Sequence, residues 1–344
     1  MAAQQALFMA AGDGSRGSLP RTPRQAEVAA RRNGVEYVEL PCRTLLNKTT
    51  NPHLSFTWTI NPYRGCEFGC AYCYARYTHE FMGYDDPANF ERRIFVKTNA
   101  APALARQARA QHFDGRPIAL GTATDPYQPA ERLFRVTRGI LETLRRYPKL
   151  RLSIVTKSAL VKRDTALLAE LARRGAVTVG FTIITLDRRL ARTLEPRAAT
   201  PQRRLRTMRH LHDAGVPVAL LVSPILPHLT DAAADLERLI IAARQAGAAT
   251  LRCNPLWLSS SSRKTFFPWL RQHFPQLLPA YRRIYSQGMY QSEAYITRVT
   301  SLMARLAAKH GLAYGTADEF APEGNEAPGT EAPPQPQQLT LAGS

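Results

Sequence analysis

The 344 residues are enough to bury a full core without disulfide staples. At 44% hydrophobic and 21% charged they have the balance of a soluble globular protein, and no apolar run nears the ~18–20 residues of a membrane span. Five cysteines, three of them clustered, fit a metal site in a reduced compartment better than a disulfide framework; with no secretory signal at the start, a cytoplasmic protein is expected. The net charge of +19 favours anionic partners such as nucleic acid or phosphorylated molecules, although only seven of 46 basic residues are Lys, and an Arg-rich solvated surface would look the same.

In chain order, residues 1–35 mix Gly, Arg, Ala and Gln without periodicity and read as a flexible leader. Residues 36–315 read as one domain, and the acidic, Pro-rich 316–344 as a disordered tail. Within the domain, "FTWTI" (56–60), "IALGT" (118–122), "LSIVT" (152–156), "VTVGFTII" (177–184), "VPVALLV" (216–222) and "ATLRC" (249–253) are short runs rich in Val, Ile and Thr, as buried parallel strands are. Helices separate them. Leu133, Val136, Ile140 and Leu144 give one apolar face; Thr200, Pro201 and Gly215 mark the cap, first position and stop of another helix, and Asp231 to Gly247 bound a third. Residues 264–310 read as terminal helices packed outside.

Repeated strand–helix–strand units predict a parallel sheet with right-handed crossovers, as in an open doubly wound sheet or a full or partial barrel. Polar segments fall at the carboxyl ends of the strands: a cysteine loop, "TATDPYQP", "TKS", "TLD" and "SPILP". Ligands gather at those ends. The expected fold is α/β, a partial (β/α)6 TIM-type barrel with extra C-terminal helices and disordered termini.

The first of those segments, "NPYRGCEFGCAYCYAR" (61–76), spaces its cysteines as Cys66-x3-Cys70-x2-Cys73. Soft thiolates at such spacing bind zinc or an iron–sulfur cluster if the chain turns tightly, and Gly65 and Gly69 permit that. Closed zinc sites and ferredoxin clusters want four ligands. Three leave one metal position for a substrate or cofactor. The rival is a closed site completed by His79, Cys42 or Cys253, which would make the chain a nucleic-acid-binding protein with structural zinc. A third reading is a closed electron-transfer cluster. Cys42 and Cys253 otherwise read as small packed hydrophobes.

Cys-x3-Cys-x2-Cys with an aromatic residue, Tyr72, before the third cysteine resembles the signature of the radical S-adenosylmethionine superfamily. With "TDPYQPAE" and "LEPRAATPQRRL" downstream, residues 38–255 are similar to the spore photoproduct lyase-like subgroup, which includes many members without an assigned substrate. The resemblance implies a 4Fe–4S cluster on Cys66, Cys70 and Cys73, with S-adenosylmethionine on the fourth iron, cleaved to a 5′-deoxyadenosyl radical. It implies an external one-electron reductant of flavodoxin or ferredoxin type; separately, a monomer is expected and, from the lack of a long apolar run, no membrane association. Tyr72 would lie beside cluster and adenine; Tyr63, Tyr74 and Tyr77 are further candidates for cluster, cofactor or core. Thr124 and Asp125 would meet the methionine end, with a turn as Asp125's alternative. Lys157 would pair with the cofactor carboxylate, and Thr182 or Thr185 with ribose or methionine. Glu195 and Arg197 would bind ribose or ammonium and carboxylate, or pair with each other to fix their loop. His228 reads as a loop residue. Spore photoproduct lyase returns hydrogen from a cysteine near the second strand end, where this chain has "GTATDPY"; Tyr127 is the substitute donor at hand.

Overall fold

The computed structural model describes residues 27–49, 54–111, 115–147, 149–175 and 177–315. The expected acidic tail and the first 26 residues of the expected leader lie outside the described residues. The leader's end is corrected. Val28–Arg32 (β1) pairs antiparallel with Val35–Glu39 (β2) across Asn33-Gly34, both at positive φ. Asn-Gly is the dipeptide that a two-residue hairpin selects, because both central positions need left-handed backbone.

The remaining strands are β3 (Leu46–Lys48), β4 (Trp58–Ile60), β5 (Tyr63–Arg64), β6 (Arg93–Val96), β7 (Ile118–Leu120), β8 (Leu152–Thr156), β9 (Val177–Thr182), β10 (Val218–Ile225), β11 (Thr250–Pro255) and β12 (Ala313–Tyr314). Eight of them form one sheet in the order β12-β11-β10-β9-β8-β7-β4-β3. Strands β4 and β7 to β12 run parallel; β3 closes the edge antiparallel. This is the expected partial barrel, built on the six expected strands. A second sheet, β1-β2-β6-β5, flanks the cysteine loop.

The longer helices are α1 (Ala100–Gln111), α2 (Val136–Leu144), α3 (Thr165–Ala172), α4 (Arg188–Leu194), α5 (Pro201–Asp213), α6 (Ala233–Gln245), α7 (Ser260–His273), α8 (Leu278–Ile284) and α9 (Glu293–Lys309). Strand residues alternate between two environments, as period-two geometry demands. Leu152, Ile154, Val179, Leu220 and Leu251 are buried with helix residues such as Ile140, Leu168, Met208 and Ile240 in one core. Ser153, Val155, Leu221 and Arg252 point the other way and line a cavity.

Two helix expectations change. Leu133 is 45% exposed and off the apolar face, because Arg135 takes left-handed backbone (φ 51°) and breaks the helix before α2 starts. Only α9 of the C-terminal helices packs on the barrel core; α7 and α8 cover the cysteine loop, where Phe266, Trp269, Tyr281 and Tyr285 cluster with Phe68, Cys66 and Cys70. Trp269 Nε1 donates to the Thr193 carbonyl (2.9 Å) and the Tyr281 hydroxyl to that of Pro227 (2.7 Å), which ties this layer to the barrel rim. Among the described residues no helix is long and apolar enough to cross a membrane.

Candidate functional site

The cysteine loop is clamped from below by its own peptide groups. Gly65 sits at φ +83°, and a Cβ there would come 2.7 Å from the Phe90 carbonyl, which is the acceptor of the Cys66 N–H (2.9 Å). Only glycine allows that turn and that approach. The Gly65 carbonyl accepts from Thr124 Oγ1 (2.6 Å) and Gln128 Nε2 (3.1 Å), and Gln128 Oε1 accepts the Glu67 N–H (2.9 Å). Glu67 in turn accepts from the Ala130 N–H (2.7 Å) and the Tyr37 hydroxyl (3.1 Å). On the other side Arg76, 2% exposed, donates to the Cys70 carbonyl (3.1 Å) and to Glu91 (2.6 Å). Gln128 and Glu67 hold the loop to the second strand end, Arg76 holds it to the segment before β6, and none of the three was singled out in the sequence. Their signal was the Gln and Glu beside "TDPY" and "RGC", which motif spacing alone does not convert into contacts.

Cys66, Cys70 and Cys73 line a cavity of about 200 Å³ over the carboxyl ends of β7 to β11. Burial lifts all three thiols, Cys66 well above the ordinary range and Cys70 to about 12. The bare site therefore holds neutral thiols, and a metal is what would convert them to thiolates. Among the described residues no three His, Cys, Asp or Glu side chains converge on a single ion.

The rival ligands lie elsewhere. His79 is buried against Phe90, Phe95 and Tyr84, and its Nε2–H donates to the Arg93 carbonyl (2.9 Å). Cys42 packs on the barrel core. Cys253 lies between Arg252 and Asn254, which face the cavity, so it faces outward, 3.2 Å from the Tyr314 hydroxyl. These residues assemble no closed site, whether of three cysteines with a histidine or of four cysteines.

Burial pulls His79 down to about 4 from an ordinary 6.5, so the unfolded chain takes up that proton first. The contribution present at pH 7 should drain away as pH falls from 6.5 toward 4, roughly 2 kcal/mol between pH 7 and pH 5. Urea unfolding at those two pH values should show that loss in the wild type and a smaller one in His79→Gln; equal slopes would refute it.

The candidate cofactor residues separate into three groups. Thr124, Asp125, Lys157 and Thr182 line the cavity. Asp125 does so while bracing β7 to β8: it accepts from Thr156 Oγ1 (2.8 Å) and the N–H groups of Tyr127 (2.9 Å) and Lys157 (2.7 Å). Burial raises its pKa despite those donors. Lys157 Nζ stands 5.7 Å over the Tyr72 ring. Burial would lower its pKa, but Cys70 and Glu195 outweigh that and hold it above the ordinary value. Among the described residues Lys157 Nζ has no carboxylate or carbonyl acceptor in hydrogen-bond reach.

Tyr72 and Glu195 form a buried chain beneath the cavity. The Tyr72 hydroxyl donates to Glu195 Oε1, and Arg204 bonds Glu195 Oε2 and the Thr182 carbonyl (2.8 Å). Glu195 thus pairs with Arg204, not with Arg197. The third group lies outside. Arg197 and Tyr127 line a separate pocket, Thr185 caps the turn at Asp187 (3.0 Å), and His228 is an exposed loop residue at φ 61°. Of the other tyrosines, Tyr74 lines the cavity and donates to the Thr122 carbonyl. Tyr63 donates to Glu131 (2.5 Å), and Tyr77 packs edge-on against Phe81.

The sequence model of the Radical SAM superfamily matches residues 60–240. An uncharacterized protein of Mycobacterium tuberculosis is 36% identical over 330 residues, 94% of this chain and 95% of that one. An uncharacterized protein of Methanocaldococcus jannaschii is 30% identical over 197 residues, 57% of this chain and 70% of that one. Among solved structures, spore photoproduct lyase complexed with dinucleoside spore photoproduct superposes with a TM-score of 0.62 at 19% identity, over 87% of this chain and 88% of that one. The latter likeness is one of fold. The chain belongs to the Radical SAM superfamily and is a radical S-adenosylmethionine enzyme.

Proposed function

We propose that Cys66, Cys70 and Cys73 hold a 4Fe–4S cluster whose fourth iron is left to S-adenosylmethionine, and that the cavity above β7 to β11 is where a substrate gives up a hydrogen atom. The observation that carries this reading is the composition of the cavity wall: three thiols, no fourth thiol or imidazole among the described residues, and two cations, Lys157 and Arg252, of which Lys157 lies beside Tyr72 of the cysteine loop. A cluster held there and reduced by an external one-electron donor would supply that electron to the sulfonium of the bound cofactor, splitting it into methionine and the 5′-deoxyadenosyl group that takes the hydrogen atom.

The chain's own groups do the rest. Lys157 offers a point charge to the cofactor carboxylate and Thr182 a hydroxyl, while the Thr124 hydroxyl is already donated to the Gly65 carbonyl. Asp125 fixes the Lys157 backbone, so the ammonium starts from a set position. The α7–α8 layer excludes water from the loop. Net charge favours an anionic substrate, nucleic acid first; the spore photoproduct lyase likeness adds a nucleic-acid lesion to that class. With no cysteine in "GTATDPY" and Tyr127 turned to another pocket, hydrogen return by that lyase's route is disfavoured.

Anaerobic reconstitution followed by dithionite should yield 5′-deoxyadenosine; a fully loaded cluster that releases none overturns the proposal. Lys157→Met should weaken S-adenosylmethionine binding by roughly 10- to 100-fold, the worth of one charge-assisted contact. Equilibrium dialysis on the loaded, unreduced enzyme reads it, and unchanged affinity would remove Lys157 from the cofactor site.

A further inference from the structure

A second pocket, of about 260 Å³, lies on the outer side of the cysteine loop. Arg132, Arg192, Arg197 and Arg203 line it, and no Asp or Glu does. All four arginines are exposed. Among the described residues the guanidiniums of Arg132, Arg197 and Arg203 have no acceptor, and Arg192 reaches only the Pro196 carbonyl (2.6 Å). The amino end of α5, capped by Thr200, opens into the same pocket and adds to the positive potential.

Only a thin wall divides this pocket from the cavity of the three thiols. Phe68, from the cysteine loop itself, lines both spaces. Lys157 lines the cavity and Ser158, the next residue, lines the pocket. The wall is knitted by the Arg197 N–H to the Phe68 carbonyl and the Ala199 N–H to the Lys157 carbonyl, both 3.3 Å. A substrate cannot pass such a wall, and a polymer resting in the pocket would present no atom to the chemistry. An electron needs only proximity.

We infer that this arginine-lined pocket is the docking surface for a small acidic one-electron carrier protein, which reduces the cluster through the Phe68 wall. The inference rests on the cluster reading above. The step moves one electron: the carrier is oxidised by one, the cluster goes from the 2+ to the 1+ state, and no proton or bond is exchanged. Unpartnered guanidiniums around a concave surface steer and orient an acidic partner and leave the pair separable by salt.

The test compares Arg132→Glu/Arg203→Glu with Arg209→Glu/Arg238→Glu, which makes the same charge change on exposed arginines outside the pocket. An acidic ferredoxin and an acidic flavodoxin serve as probes. Carrier affinity is read by biolayer interferometry, and cluster reduction by electron paramagnetic resonance. The pocket variant should bind at least one carrier ten-fold or more weakly and be reduced correspondingly slowly, with a shallower salt dependence, while the control pair stays near wild type. Dithionite should reduce all three proteins alike. The inference falls if the two double variants lose carrier binding equally, if neither carrier reduces a wild-type cluster that dithionite reduces, or if the pocket variant loses affinity for a single-stranded oligonucleotide and not for the carriers. A protein that loads no cluster, or yields no 5′-deoxyadenosine with dithionite, would instead refute the function proposed above.

Discussion

Cys70→Ala, reconstituted anaerobically, should lose its visible iron–sulfur absorbance and most of its iron and sulfide, and release 5′-deoxyadenosine only at background. Loss of partners that merely orient a metal ligand typically costs 10- to 100-fold, so loss of a ligand itself should exceed roughly 100-fold. Neither rival ligand can substitute: His79 is committed to the Arg93 carbonyl, and Cys253 faces out of the barrel. The thiol lines a cavity, so the substitution should leave the circular dichroism spectrum intact. Cys42→Ala should keep its iron, because Cys42 packs on the barrel core. A Cys70→Ala protein that holds a full complement of iron and stays active would place the cluster elsewhere.

Arg204→Met should strongly destabilise the barrel. Arg204 and Glu195 side chains are each 1% exposed, and Glu195 spends its other oxygen on Tyr72. Removing the cation strands a buried carboxylate, at a cost of roughly 3–5 kcal/mol. Pairing it with Glu195→Leu should recover much of that, because the expense lies in the unpaired charge rather than in the lost bond. The pH dependence carries its own sign. Burial would raise the Glu195 pKa, but Arg204 and then Lys157 outweigh it and hold it below the ordinary 4.5. The unfolded chain is therefore protonated first, so the pair's contribution is complete above pH 4.5 and is lost as pH falls through the lower folded value. Chemical denaturation of wild type, Arg204→Met and the double variant from pH 7 to pH 3.5 reads both effects. A single variant as stable as the wild type at pH 7 would show that the pair is not buried as described.

Much of the frame was legible in the chain. Six short Val-, Ile- and Thr-rich runs became six of the seven parallel strands, because buried parallel strands have little other composition open to them. Four of the five polar segments at their ends reach one cavity for the same topological reason, and "TLD" does not. Pair identity was not legible. Arg197 is the nearer cation to Glu195 in sequence, yet Arg204, set inward by α5, takes the bond, and Arg197 turns outward. Proximity along a chain does not decide which side chain a helix aims inward. The Asn-Gly hairpin at residues 33–34 had a turn signal, but its first strand, "VAARR", shows no apolar alternation to mark it as a strand.

The cover that α7 and α8 place over the cysteine loop has a temporal side. Residues 66–73 leave the ribosome roughly 200 residues ahead of Phe266, Trp269 and Tyr281, an interval of roughly 10–40 s at ordinary elongation rates. Throughout it the nascent loop has no roof. Iron and sulfide delivered during translation would meet a loop without that cover, whereas delivery to the finished chain must come through the cavity that the three cysteines line.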